Sequence, residues 1–515
     1  MATTHEKLAA SLKELRKLQK SGKRVIRSNE LTRVHRERLE QAGYLEKIIQ
    51  GWLMSTTPDA LPGDTTPWFS CFWEFCRRYC ESRFAKSWHL STDQSLLIHS
   101  GDMSIPYQVV VHARKGQSNL LELPSDVKLI DLPYPKKRKI TQKDIDVISG
   151  LNVLKLPLAL AIAPASFFKM YSTAAEVILG SIENASVVLP PLLEEGRTIV
   201  AGRLAGAFRH MGRKEIAYEI CEAMKDAGHS VHEDNPFEDK ALARTWTKPE
   251  SPVIGRMNTL WDKARTVVLE ECPDAPPGVQ NIDEYLASVE EAYTHDAYHS
   301  LSIEGYMVSE ELIERVASGN WNPEENTADA NDKNALACRG YLDCFGKVKR
   351  NVKEVLEGGE AGAVARRDHG GWYRALFGPH VRSGLLNAVA LAGYRNHPVF
   401  IKGSRHAPVN EASVPDAMNT LFDRLEGEES PMLAAVLGHW MLGYIHPYSA
   451  GNGRMARFLM NLMLASGGYP WTTIKVDDRD TYMAALESAS VDNDIRPFAK
   501  FIVGAVLGNI QTDKK

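Results

Sequence analysis

The run His446-Pro447-Tyr448-Ser449-Ala450-Gly451-Asn452-Gly453-Arg454-Met455-Ala456-Arg457 brings a base, a tight turn and two guanidinium groups together. An apolar helix, Met432 to Ile445, delivers the chain to His446, and Pro447 stops it. Gly451 and Gly453 let the backbone turn and point its N–H groups inward. A second helix is expected from about Arg454. Met455, Phe458, Leu459, Leu462 and Met463 form one face at a period of 3.6, and Arg454, Arg457 and Asn461 form another. The free N–H groups and positive dipole end of such a helix favour an anion. Arginines add bidentate phosphate donors. An imidazole at the mouth is suited to accept a proton near neutral pH. The predicted chemistry is that of phosphoryl-group transfer.

The same residues closely resemble the Fic motif, HxFx(D/E)GNGRxxR. His446, Pro447, Gly451, Asn452, Gly453, Arg454 and Arg457 match it, and Tyr448 replaces the usual Phe. The resemblance implies transfer of AMP from ATP to a Ser, Thr or Tyr hydroxyl of a target protein. In that role His446 is the base, Gly451, Asn452, Gly453 and Arg454 hold the α- and β-phosphates, and Arg457 holds the γ-phosphate. Ala450 departs from the pattern, because it occupies the position of the acidic Mg²⁺ ligand. Any Mg²⁺ must then rely on phosphates and water. Ala450 leaves several outcomes open: weak activity, a different leaving group, or an impaired copy.

Upstream, His299 to Gly305 contains SxxxEG, with Ser300 and Glu304. This resembles the Fic inhibitory motif, whose glutamate takes the second motif arginine, here Arg457, and denies the γ-phosphate its seat. Val399 to Asn410, VFIKGSRHAPVN, reads as a short β-hairpin turning at Gly403-Ser404. In Fic proteins a comparable flap clamps the target by strand addition. Lys402, Gly403, Ser404, Arg405 and His406 are the corresponding target-binding candidates. Downstream, GGYPWTTI, Arg479, Tyr482, Ala485 and Leu486 extend the resemblance, which runs from about residue 285 to 505, and Tyr482 is a candidate for the nucleotide pocket.

The opposite end has another character. Residues 1–60 carry 12 Lys and Arg against 7 Asp and Glu. Leu8, Leu12, Leu15 and Leu18 fall at helical spacing before Gly22. Ser28 to Leu31 fits a short turn, Thr32 caps a helix from Arg33 to Ala42, and Tyr44 to Met54 fits two strands about Gln50-Gly51. That order is expected of a winged helix-turn-helix, with Arg33, Arg36 and Arg38 facing outward. The run RSNELTRVHRERLEQAGYLEKIIQGW resembles the winged helix of abortive-infection type IV antitoxins. GRTIVAGRLAGAFRHMGR and AGHSVHEDNPF are similar to the rest of such regulators, so the resemblance covers roughly 240 residues. It implies DNA binding through residues 1–60, with Arg27, Ser28, Thr32, Arg33, Arg36 and Arg38 as the contacts.

Composition bounds the rest. The 515 residues are 44% hydrophobic and 24% charged with a net charge of −4, which excludes a disordered or collagen-like chain and a whole-protein field for nucleic acid. Seven cysteines exclude a disulfide scaffold; Cys71, Cys76 and Cys80 lack metal-ligand spacing. Leu151 to Phe168 is interrupted by Lys155, Pro157 and Pro164 and falls short of a membrane span. The expected compartment is the cytoplasm, with no membrane partner. Breaks rich in proline fall at Thr57 to Trp68 and at Cys272 to Gly278, and a basic cluster lies at Lys136 to Lys139.

The expected fold is mainly α. A winged helix-turn-helix spans 1–60, an antitoxin-like α+β and helical regulatory domain 61–250, linker helices 251–284, and an all-helical Fic domain with its flap 285–515. Within the second of these, residues 69–135 read as a β-containing layer and residues 141–245 as mostly helical. Two functions follow: an adenylyltransferase restrained by Glu304 and fused to a DNA-binding module, or a DNA-binding regulator whose Fic domain senses a nucleotide. A metal-independent transfer of another group is a third. ATP is the expected nucleotide, and homodimerisation is an expectation of both families.

Overall fold

The computed structural model describes residues 3–20, 22–58, 64–134, 140–237, 244, 246, 248–273, 275–321 and 332–512. The basic cluster at Lys136 to Lys139 lies outside them. The chain forms two compact units, residues 1–256 with 400–407, and residues 257–399 with 408–515. The boundary at 256/257 falls within the expected linker helices 251–284, and the segments 1–60 and 61–250 lie in one unit.

In the first unit, helix α1 (Thr4–Gln19) opens on a capping box between Thr3 and Glu6. It packs Leu15, with Leu8, Leu12 and Leu18 beside it, against Ile26, Leu39 and Leu53. Strand β1 (Val25–Arg27) and a 3₁₀ turn (Ser28–Glu30) lead to α2 (Arg33–Gln41), capped by Thr32. Strands β2 (Leu45–Ile49) and β3 (Trp52–Ser55) turn at Gln50-Gly51 and complete an antiparallel sheet in the order β1-β3-β2. β1 was not legible in the sequence: three residues carry too little alternation.

Helix α3 (Thr66–Phe84) begins inside the Thr57 to Trp68 break, so Trp68 is core and not linker. Its aromatic face packs on a four-stranded sheet of β4 (Trp88–Leu90), β5 (Gln108–Ala113), β6 (Asn119–Glu122) and β7 (Lys128–Pro133), in the order β4-β5-β7-β6. β5 and β7 are parallel. The apolar SLLIHS lies in α4 (Thr92–His99). A hairpin, β8 (Ile145–Ile148) and β9 (Leu151–Leu154), precedes the helices α5 (Leu156–Ile162), α6 (Ala165–Met170), α7 (Ser172–Ser181), α8 (Leu189–Glu194), α9 (Thr198–His210) and α10 (Lys214–Asp226). In α9, a Cβ on Gly202 would lie 1.9 Å from the His232 carbonyl oxygen and one on Gly206 2.2 Å from that of Asp234. Only glycine admits the HEDN segment so closely.

The second unit is helical: α11 (Pro252–Leu269, which enters it at Met257), α12 (Ile282–Glu291), α13 (Tyr293–Ile303), α14 (Glu310–Ala317), α15 (Lys333–Leu356), α16 (Ala361–Arg382), α17 (Val414–Glu426), α18 (Pro431–Ile445), α19 (Asn452–Ser466), α20 (Arg479–Glu487) and α21 (Arg496–Thr512). α18 is apolar almost all round and correspondingly buried, the signature of a central helix. No helix among the described residues is long and apolar enough to cross a membrane. Between residues 396 and 410 no strand forms. The expected flap hairpin is an irregular loop with one turn, where Ser404 N–H donates to the Ile401 carbonyl (3.1 Å) and Gly403 has φ 74°.

Candidate active site

The site is built where α18 hands over to α19. His446 caps α18 in the left-handed conformation, φ 52°, which a non-glycine residue adopts only under constraint. Arg395 supplies that constraint. Buried at 5% exposure, it donates from Nε to the His446 carbonyl (2.8 Å), from Nη1 to the His397 carbonyl (3.1 Å) and from Nη2 to the Val409 carbonyl. Its own N–H reaches the Pro447 carbonyl at 2.9 Å. One guanidinium thus replaces the helix partners that Pro447 and the turn deny. The His446 Nδ1 lies 3.3 Å from the Gly443 carbonyl, which can accept a hydrogen bond from it.

The turn itself is locked from within. Tyr448 N–H donates to Asn452 Oδ1 (2.9 Å), and Asn452 Nδ2 donates to the Tyr448 carbonyl (2.8 Å). The Asn452 side chain therefore shapes the loop, and only its backbone remains to meet an anion. Gly451, at φ 74°, caps α19, and a Cβ there would lie 2.8 Å from the Phe377 ring. Helix α19 starts at Asn452, two residues before the expected Arg454. Gly453 lies inside its first turn, where a Cβ would lie 2.5 Å from Glu304 Oε1. Tyr448 stacks on Tyr373, centroids 3.9 Å apart, and its buried hydroxyl has no hydrogen-bond partner.

Both motif arginines are buried, Arg454 at 1% and Arg457 at 3% exposure. They face one carboxylate. Glu304 Oε2 lies 3.4 Å from Arg454 Nε, and Glu304 Oε1 lies 3.2 Å from Arg457 Nη2. Arg457 donates further from Nε to Ser300 Oγ (2.8 Å) and from Nη2 to the Ser300 carbonyl (3.0 Å). Burial pulls the Glu304 carboxyl up, but Arg454 and Arg457 outweigh it and hold the group below the usual carboxylate range. Arg454 lies between the Tyr306 and Phe377 rings, at 5.2 and 5.1 Å; its Nε meets the Glu304 carboxylate as an ion pair, and its Nη1 has no hydrogen-bond partner. Buried guanidinium groups at the N-terminus of α19 suit an anion.

The structure thus brings together His446, Gly451, Asn452, Gly453, Arg454, Arg457, Ser300 and Glu304. It does not bring Tyr482 to the surface of that site. Tyr482 is 1% exposed, and its hydroxyl lies 2.7 Å from Nε2 of His439, an imidazole that burial and Arg457 hold down to about 3. Its electrostatic partner is Arg457, so it underlies that guanidinium and does not line a nucleoside pocket.

Lys402, Gly403, Ser404, Arg405 and His406 fold with the first unit. The Arg405 carbonyl accepts from Ile105 N–H (2.9 Å), the Arg405 guanidinium lies 4.0 Å over the Tyr107 ring, and Lys402 is 3.9 Å from Asp64. In the N-terminal segment, Arg38 turns back onto α1, donating to the Lys7 carbonyl (3.0 Å) and Ser11 Oγ (3.2 Å). Arg36 holds the Ser28 carbonyl (3.1 Å). The expected outward row therefore reduces to Arg33, itself paired with Glu37 at 2.6 Å. Arg27 lies over the Trp52 ring, Ser28 N–H donates to the Gly51 carbonyl, and the Thr32 hydroxyl accepts from His35 N–H, so all three hold the local fold. Cys71, Cys76 and Cys80 are core residues of α3, and burial pushes their thiols up.

At the position of the usual metal ligand stands exposed Ala450, and no cluster of three or more His, Cys, Asp or Glu that could hold a metal occurs among the described residues. The donor set does not fit a protein-held Mg²⁺.

A strained histidine at the turn, a helix N-terminus and two buried arginines together suit a phosphate-bearing ligand. Residues 371–464, most of them in the second unit, match the Fic/DOC family. Among curated proteins the chain is similar to protein adenylyltransferase Fic of Culex quinquefasciatus, 29% identical over 279 residues, covering 52% of this chain and 50% of the relative. The namesake of Nematostella vectensis is 29% identical over 219 residues, covering 42% and 47%. The chain spans about half the length of the curated relatives it matches. Among solved structures, Fic-1 (residues 134–508) of C. elegans aligns at 18% identity with a TM-score of 0.37, covering 69% of this chain and 90% of that one.

Proposed function

We propose that the second unit is a protein adenylyltransferase. The observation that carries the reading is the pair of buried guanidinium groups, Arg454 and Arg457, converging on one carboxylate in the first turns of α19, directly after the turn that carries His446. In the proposed reaction His446 Nε2 takes the proton from a target hydroxyl as its oxygen attacks the α-phosphorus of ATP. The new O–P bond forms, the bond to the bridging oxygen breaks, and pyrophosphate leaves with the electron pair. Backbone N–H groups of Gly451 to Arg454 and the Arg454 side chain hold the phosphate oxygens; Arg457 takes the terminal phosphate. No step runs through a metal ion, since Ala450 offers no ligand.

Glu304 occupies both arginines, so in this reading it is an inhibitory residue: a carboxylate and a phosphate compete for one pair of guanidinium groups. Ser300 keeps Arg457 oriented when the carboxylate leaves. The loop carrying Lys402 to His406 remains the proposed target-binding segment, acting through an irregular backbone.

Ala450 favours a second reading, in which the site binds a nucleotide without transferring it and the chain works as a regulator. DNA contact through residues 1–60 belongs to either reading, with Arg33 its remaining outward cation on α2. The discriminating experiment is intact mass of Glu304→Gly after incubation with ATP and Mg²⁺, beside Glu304→Gly/His446→Ala. A gain of one adenylyl group that requires His446 supports transfer. ATP binding with no gain refutes it in favour of sensing.

A further inference from the structure

Helices α15 and α16 lie side by side, and their outer faces enclose a groove of about 630 Å³ lined by Asp343, Gly346, Lys347, Arg350, Arg374 and Arg382, among others. Four cations thus surround one carboxylate in a chain whose net charge is −4. Asp343 is already engaged by Arg339 at 3.0 Å and by Arg382 at 3.7 Å. Lys347, Arg350 and Arg374 are exposed on the rim.

The floor supplies an independent observation. The two helices touch at Gly340, where a Cβ would lie 2.0 Å from the Leu376 carbonyl oxygen, so packing demands that glycine. Gly346 and Gly371 are different. A Cβ on Gly346 would meet only Arg350 Nη1 at 4.0 Å, and one on Gly371 only Arg374 Nη2 at 3.9 Å. Neither is at positive φ. Each costs its helix about 0.5–1 kcal/mol relative to alanine, with no packing return. What the pair does is leave the floor bare, so that a ligand can approach the backbone between the cations.

We propose that this groove is a binding site for a compact polyphosphate anion, separate from the α19 seat. Three guanidinium groups suit phosphate oxygens bidentately, and the volume is that of a small-molecule site. Only Leu342 and Ala375 among the lining residues are apolar, too few to seat the side chains of a peptide.

The test is calorimetric titration of the full chain with inorganic tripolyphosphate at about 0.15 M salt, counting equivalents bound. Lys347→Gln/Arg350→Gln/Arg374→Gln should remove one equivalent, its affinity falling about tenfold or more per cation lost. Gly346→Met/Gly371→Met keeps every cation and favours helix, and should remove the same equivalent by filling the floor. Arg454→Gln should leave it in place. Tripolyphosphate binding unchanged in the floor-filled variant would overturn the proposal, because the cations would then act as a surface field without a site. A hexaglutamate peptide that binds the wild-type groove as tightly as tripolyphosphate would overturn it in favour of an acidic polypeptide.

Discussion

Replacing Glu304 should make the folded unit weaker and its hold on ATP stronger, and the two effects should appear together. The carboxylate lies 3.4 Å from Arg454 Nε and 3.2 Å from Arg457 Nη2, with the glutamate side chain 19% exposed. At an effective dielectric of about 20 each contact has a gross Coulomb energy of about 5 kcal/mol. Desolvation of the charges cancels most of that, so the net value of the clamp is about 1.5–3 kcal/mol, the range of hydrogen bonds to charged groups. Under the proposed function, ATP must displace this clamp in the wild type. Glu304→Gln, which keeps the volume and removes the charge, should therefore tighten ATP binding by about 10- to 100-fold. The same change leaves two buried guanidinium groups short of a counter-ion, so the unliganded unit should lose about 2–3 kcal/mol and unfold roughly 5 °C or more lower. Calorimetric titration with ATP and thermal unfolding without it read the two halves. The sign with pH is fixed too. Glu304 is held below its ordinary value, so its contribution is complete above about pH 5 and lost only as pH falls through the depressed value. ATP affinity should not change through Glu304 between pH 6 and 8. A lower unfolding temperature with unchanged ATP affinity would refute the competition and leave Glu304 a structural counter-ion alone.

Ala450→Asp, placed in the Glu304→Gly background, should add a Mg²⁺-dependent component to self-modification, read by intact mass with and without chelator; equal rates in both would show that the missing carboxylate does not limit the site. Tyr448→Phe removes a buried hydroxyl that has no partner and keeps the stack on Tyr373, so stability should hold or rise by up to about 1 kcal/mol in denaturant unfolding. Arg395→Lys should lower transfer far more than ATP affinity, because a point charge does not hold the His446, His397 and Val409 carbonyls together; equal losses in both would place Arg395 among general stability residues. Gly202→Ala drives a methyl into the His232 carbonyl oxygen and should destabilise the first unit by about 2 kcal/mol or more, seen as a lower unfolding midpoint.

The parts of the site carried by local sequence were legible. The spacing from His446 to Arg457 fixes a turn and a helix start within a few residues, and the resemblance of SxxxEG to an inhibitory motif implied the pairing of Glu304 with Arg457. Apart from β1, the first 55 residues also show their elements, because Thr32, Gly43 and Gln50-Gly51 are strong local stops. What was illegible depends on contacts from far along the chain. Arg395 sits in an unremarkable AGYRNHP, and only the folded chain brings its fork onto the carbonyls of Ile445 and His446 and its backbone N–H onto that of Pro447. Arg36 and Arg38 read as an outward row because helical spacing gives a face, but it does not say that Lys7 and Ser28 carbonyls wait beside it. The alternation around Gly403 suggested two strands. The structure pairs Arg405 with Ile105 across the first unit and leaves Val399 to Asn410 without a ladder of its own. Tyr482 shows the same limit: an aromatic at the right distance from a motif can underlie it as easily as face it.

Glu304 bears on the choice between enzyme and sensor, but less directly than its motif suggests. An inhibitory carboxylate is readily taken as a sign that there is an activity to restrain. The geometry gives it a second duty. Arg454 and Arg457 are almost wholly buried, and a buried cation without an anion costs several kcal/mol. Asp296, the other carboxylate near Arg457, is occupied with Tyr341 (2.6 Å) and Thr473 (2.9 Å), and its burial holds it above the usual carboxylate range, so it is a poor counter-ion. In the unliganded protein the charge on the two arginines therefore falls to Glu304. A chain that had lost transfer and kept only nucleotide binding would need the same carboxylate to remain folded between ligands. Persistence of Glu304 does not separate the two readings. The residue that separates them is His446. Arg395 meets the His446 backbone carbonyl and not its imidazole, so under the proposed function replacement by alanine should stop transfer while leaving the anion seat to be measured.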